Sequence, residues 1–145
     1  MPEPSRLLFL AGAAPFLLLG TVHAFATPLR PDEPRGLSPT DPTLISAMSN
    51  ARVRLTGRTD LWSAWVGFNL SHSLGAVLFG ILVVLIGRTD ASYRAEAALF
   101  GPLAVLVSGT YLLLAVKYWF RTPILGCALS FSSFLASCAL YFGAR

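Results

Sequence analysis

Apolar residues in this 145-residue chain are gathered into four blocks, 7–26, 61–86, 97–116 and 124–143, with polar residues concentrated between them. Each block is close to or above the roughly 20 residues that cross about 30 Å of hydrocarbon at 1.5 Å per residue. Lipid offers the backbone no hydrogen-bonding partner, so each block must satisfy its own N–H and C=O groups and is predicted to be a helix. The pattern predicts an all-α, integral membrane four-helix bundle, a single membrane domain over 1–145 with both termini on one side.

Between the first two blocks, residues 27–60 change character halfway. Pro28, Pro31, Pro34 and Pro39 are spaced so that no helix can form through them. Helix-start signals follow. Asp41 suits an N-cap, Pro42 the first helical position, and Leu44, Ile45, Met48 and Leu55 fall near one face, with Arg52 and Arg54 toward the end. This predicts an amphipathic interfacial helix over about 42–53, with packing over the bundle mouth as the competing placement.

Composition agrees with the blocks. The chain is 54% hydrophobic and 12% charged, with mean hydropathy +0.64, whereas a soluble domain spends about a quarter of its residues on charge. Net charge is +4, but the basic residues lie in loops and at block ends and form no stripe. They read as head-group anchors, so membrane lipids are expected partners and nucleic acid is not. The first and third loops hold seven Lys and Arg residues and the remaining segments four, a bias toward those loops being cytoplasmic. Trp62, Trp65 and the run Lys117 to Arg121 have the composition of a head-group boundary.

The first block resembles a secretory signal, with Arg6, an apolar run and Ala24-Phe25-Ala26 in the place of a cleavage site. Its 16-residue run, 7–22, slightly exceeds a usual signal core and His23 precedes the cleavage pattern, so it is read as a retained span, bent at Pro15. The tetrapeptide Gly-Arg-Thr-Asp occurs at 57–60 and 87–90, but its flanks differ. Each copy has local sense instead, with Thr59 or Asp60 capping the second helix and Gly87 closing it.

Chemistry inside the membrane is concentrated in Phe68-Asn69-Leu70-Ser71-His72-Ser73. Helical spacing puts Gly67, Ser71 and Gly75 on one stripe, the small-xxx-small pattern that admits a second helix. Trp65, Asn69 and His72 fall on a neighbouring stripe. Gly101 and Ser108 of the third block, and Gly126, Ser130, Ser133 and Ser137 of the fourth, give further small-residue edges. These edges predict a tight bundle whose buried hydroxyls bond across helices.

An ionisable residue within a span is a candidate functional group. Counted from Leu61, His72 lies about 16 Å deep, while His23 lies about 5 Å from the end of its helix. That difference in depth argues against opposed coordination of one haem by both, although a shallow site combining His23 with Cys127 is conceivable. Cys127 and Cys138, about 16 Å apart on one helix, cannot bridge, since bridged Cα atoms lie within about 7 Å. No spacing matches a metal signature, so no metal, cofactor or catalytic set is expected. No block holds Asp or Glu in its interior, which removes the carboxylate usual in proton pumps and many cation-coupled transporters.

Two readings remain. One is a non-enzymatic bundle acting through helix–helix association, as a homo-oligomer or with a membrane-protein partner. The other is a ligand-binding or catalytic protein whose pocket, lined by Trp65, Asn69, His72 and Tyr111, takes a lipid-like molecule.

The run Trp62-x-x-Trp65-x-Gly67-Phe68-Asn69-x-Ser71-His72-Ser73, with Lys117 to Pro123 before the fourth block and Gly20-x-x-His23 in the first, resembles an uncharacterised family of small bacterial four-span integral membrane proteins. The resemblance implies this fold and a bacterial inner (cytoplasmic) membrane, and it implies no substrate. A looser similarity of size and span count, to sterol-isomerase-like and sigma-2-receptor-like proteins, implies a lipid-like ligand. Those proteins bind through acidic residues inside the bundle, which this sequence lacks.

Overall fold

A computed structural model describes residues 3–144. They form five helices, α1 (Pro4–Ala26), α2 (Pro42–Asn50), α3 (Leu61–Gly87), α4 (Asp90–Tyr118) and α5 (Arg121–Gly143). Four of these, all but α2, are long and apolar enough to cross a membrane. No more than 33% of the most apolar stretch of each is buried within the chain, and residues such as Leu18, Phe68, Leu99, Leu113 and Leu125 stay largely exposed. Apolar helices covered on one side only need hydrocarbon on the other, and the protein is an integral, polytopic membrane protein.

Helix boundaries follow local chemistry. The third span begins seven residues before its expected start because Thr89 accepts a hydrogen bond from the amide of Ser92 at 3.1 Å and so caps α4. Asp90 then lies in the first turn, where the helix dipole favours a negative charge. Only Arg88 and Thr89 separate α3 from α4. Helix α2 is capped by Asp41, whose carboxylate accepts from both the amide and the hydroxyl of Thr43, with Pro42 at the start. It ends at Asn50 and not near residue 53. Beyond it the backbone turns extended, Arg52 bridges Asp60, and the Leu61 amide donates to the carbonyl of Ala51. Leu55 is therefore outside the helix and 94% exposed.

The contacts divide the chain into two compact units, one comprising Met1–Leu19 with Ala76–Arg145 and the other Gly20–Gly75. In the first, parts of α1 and α3 pack with α4 and α5 as a four-helix bundle. Its core contains Phe9, Ala13, Phe16, Val83, Tyr93, Ala97, Ala104, Phe134 and Tyr141. The aromatic rings meet edge to face or tilted: Phe9 lies 5.5 Å from Tyr93 and 5.6 Å from Phe134, and Phe16 lies 4.7 Å from Phe79. Such pairs add about 0.5–1.5 kcal/mol beyond the area they bury. The first span is thus a structural member of the bundle. One polar seam crosses it. The hydroxyl of Ser137 donates to the carbonyl of Ser5 at 2.8 Å and lies 3.1 Å from the Tyr93 hydroxyl. Because Ser137 has a single proton, Tyr93 must be the donor to it. At one end of the bundle Arg6 pairs with Asp90 at 2.6 Å and donates to the carbonyl of Gly87.

The second unit contains the end of α1, the loop with α2, and the first half of α3. Thr27 bonds back to the carbonyl of His23 and is 1% exposed, and the Leu37 amide donates to Ala26, folding the proline-rich segment onto the end of α1. Asp60 starts α3 by accepting from the amide and the hydroxyl of Ser63. Its carboxyl is held below the ordinary carboxylate range, first by the amide bond and then by the hydroxyl.

Candidate functional site

Within the second unit the chain's only two histidines come together. Their ring centres are 5.2 Å apart with the planes tilted by 59°. This corrects the expected difference in depth. Depth had been counted from Leu61, as if α3 entered the bilayer there. Instead His23, three residues from the end of α1, lies opposite Asn69 and His72, so the first two turns of α3 run on past Ala26 beside the loop. Trp62, expected at a head-group boundary, is 4% exposed in this extension, 5.4 Å from Trp65.

Asn69 organises the pair. It is 5% exposed, and its side-chain amide donates to the Trp65 carbonyl at 2.8 Å. That bond fixes the amide orientation and leaves Oδ1 facing His23 Nε2 at 2.9 Å. A carboxamide oxygen only accepts, so Nε2 of His23 carries a proton, and in the neutral ring the lone pair lies on Nδ1. The His72 ring is flanked by His23 on one side and stacks on Phe68, 6.3 Å away, on the other. The side-chain partner of Asn69 on another helix is thus His23. Trp65 and His72 are half-buried. Tyr111, the fourth expected pocket residue, belongs to the bundle unit, where its ring packs edge to face on Phe16 at 5.2 Å.

The small-residue edges divide into closed and open ones. A Cβ at Gly101 would meet Cys138 Sγ at 2.9 Å, and one at Gly126 would collide with the Leu19 side chain. Ser108, Ser130, Ser133 and Ser137 are buried. Among the described residues, only Ser137 of these four bonds across helices. Ser108 donates to the carbonyl of Ala104 on its own helix, Ser130 Oγ meets no partner among the described residues, and no bond of the Ser133 side chain is found there. By contrast, nothing lies within 4 Å of a Cβ placed at Gly67 or Gly75, and both glycines and Ser71 are exposed. The Ser71 hydroxyl turns back to the carbonyl of Phe68. Among the described residues no helix fills the space beside this stripe, and the face is open.

Close approaches were also missed in the sequence. Gly12 faces the Phe134 ring, Gly80 faces Leu17, Gly87 faces Leu10 and Gly109 faces Phe131. Single glycines in apolar runs carry no spacing signal, and only the register of the antiparallel helices reveals them. Compared with known protein families, with curated proteins and with solved structures, the chain matches none.

Proposed function

We propose that this membrane protein acts by associating with another helix in the bilayer, as an accessory subunit or a self-associating bundle, through the face of α3 bearing Gly67, Ser71 and Gly75. One observation carries the reading. The close-approach positions in the bundle have their space taken by a neighbour, whereas Gly67 and Gly75 have open space beside them. In lipid there is no hydrophobic drive between helices, and association rests on backbone approach, packing and hydrogen bonds. A two-turn run without side-chain bulk, flanked by exposed Phe68, Leu70 and Leu74, offers such an approach. The resemblance to small bacterial four-span proteins supports placing this association in a bacterial inner membrane. The second reading, a lipid-like ligand or a reaction at His72, is favoured by the cluster of His23, Asn69 and His72 alone.

The test is native mass spectrometry of gently extracted protein, alongside disulfide trapping of Ser71→Cys. The expected result is an oligomer or a bound membrane protein, lost in Gly67→Ile with Gly75→Ile. Detection of monomer alone, or an assembly indifferent to both substitutions, would overturn the reading.

A further inference from the structure

We propose that the turn at residues 53–58, with Leu55 at its tip, docks on anionic phospholipid head groups of the bilayer that holds the spans. This docking is independent of helix association. Between α2 and α3 the backbone closes a short hairpin. The Leu61 amide donates to the Ala51 carbonyl at 2.9 Å and the Val53 amide to the Thr59 carbonyl at 3.0 Å, Arg52 bridges Asp60, and the Thr56 amide returns to the Val53 carbonyl at 3.0 Å. Main-chain bonds hold the tip, which leaves its side chains to face outward. Residues 54–58 are all exposed, and at 94% Leu55 is the most exposed of the large apolar residues described.

Charge identifies the occupant. Residues 51–61 carry three arginines, Arg52, Arg54 and Arg58, against one carboxylate, Asp60, and that carboxylate already accepts from Ser63. Among the described residues neither Arg54 nor Arg58 enters an ion pair. A lone surface leucine means little, but a leucine fixed between unpaired guanidinium groups offers two contacts at once. Arginine pairs with phosphate through parallel N–H bonds, and an apolar side chain enters the boundary between head groups and acyl chains. A layer of anionic lipid supplies both partners, whereas a purely acidic surface supplies only the first.

Position agrees with this occupant. Helix α1 has 23 residues, about 34 Å, and so ends close to the hydrocarbon boundary. The first two turns of α3 run past that end by about 10 Å, whereas the head-group layer is about 5–7 Å deep on each face. The base of the hairpin therefore lies near the outer edge of the layer, and three extended residues, about 10 Å, are enough to bring the tip back onto it. The excess of basic residues in the first and third loops favours the cytoplasmic side, where the leaflet is anionic.

The test reconstitutes the full chain in vesicles of phosphatidylcholine, alone or mixed with phosphatidylglycerol. A fluorophore is attached at Gly57→Cys, where an added Cβ meets nothing within 4 Å, in a background of Cys127→Ala and Cys138→Ala, and spin-labelled head-group lipid quenches it on contact. The expected result is strong quenching in the mixed vesicles, relieved by high salt, and weak quenching in phosphatidylcholine alone. Arg54→Gln with Arg58→Gln should lower the ratio of docked to undocked tip about 25-fold, roughly fivefold for each charge. Lysine at both positions should restore docking, Leu55→Ser should weaken it, and Arg35→Gln, elsewhere in the loop, should leave it unchanged. Unchanged circular dichroism separates lost docking from a lost fold. Equal quenching with and without phosphatidylglycerol, or in the double glutamine variant, would overturn the proposal. A label that stays in water in the mixed vesicles yet is shielded in native membranes would also overturn it, since that is the behaviour of an acidic protein partner.

Discussion

Consider Gly12→Ala in the middle of α1. A methyl group there would lie 2.5 to 2.8 Å from three atoms of the Phe134 ring. That ring is 0% exposed and wedged between Phe9 at 5.6 Å and Phe79 at 6.0 Å, so it cannot swing away without disturbing both. Overpacking of this kind costs about 1–3 kcal/mol. Alanine recovers about 0.5–1 kcal/mol through its better helix preference, leaving a net loss of roughly 1–2 kcal/mol. Gly67→Ala and Gly75→Ala add the same methyl to open space and should leave the stability of the isolated chain unchanged or slightly raised. The assay is reversible unfolding in mixed detergent and SDS, monitored by tryptophan fluorescence and circular dichroism. A cycle with Phe134→Leu provides the internal check. The smaller side chain vacates the colliding volume, so the double variant should be less destabilised than the sum of the singles by about 1 kcal/mol or more. Additive effects, or equal losses at residues 12, 67 and 75, would refute the assignment of closed and open glycines.

Two further outcomes follow from the polar contacts. Ser137→Ala removes the acceptor of the Tyr93 hydroxyl and the donor to Ser5, and should cost about 1–3 kcal/mol because both groups are left buried; Tyr93→Phe, which leaves only the Ser137–Ser5 bond, should cost less in the same unfolding assay. At Asp41 the carboxyl is held below its ordinary range, chiefly by the Thr43 hydroxyl and then by the Thr43 amide. Its folded value is depressed, so its support of α2 is present above the ordinary carboxylate range and is lost as pH falls through the lowered value. A spin label at Ala47 should therefore gain mobility in acid, and Asp41→Asn, which keeps an acceptor oxygen without titrating, should flatten that response.

The four blocks were legible because 20-residue apolar runs have one solution in lipid. Caps at Asp41 and Asp60 were written in residues that accept from the amides two or three positions on, whereas the Thr89 cap and the early start it gives the third span were not expected. What escaped was register. Nothing in the sequence states that α3 overshoots the end of α1, and assuming that both ended at one plane separated His23 from His72 by two turns. The same blindness hid Gly12, which lacks a small partner at spacing four and is recognisable only opposite Phe134. Asn69 and His72 were visible as chemistry, and their partner was not, because pairing across 46 residues is fixed by how helices slide against each other and not by periodicity within one.

The links between helices bear on how the chain is made. Only two residues join α3 to α4 and two join α4 to α5, while residues 27–60 lie between α1 and α3. Consecutive short-linked spans can pair as they leave the ribosome, but α1 completes its contacts only when α5 has emerged. Its contacts with Phe134 and Ser137 span over a hundred positions of sequence, and Ser5 meets its partner 132 residues later. Closure of so long a loop carries an entropic cost that local pairing does not. Before the last span is synthesised, α1 can already pack against Phe79, Tyr93 and Tyr111 of α3 and α4, and Phe9 gains Phe134 only with α5. Completion of the α1 contacts by α5 is thus built into the order of the chain, and a truncation before α5 should leave α1 inserted and paired with α3 and α4 but without its contacts to Phe134 and Ser137.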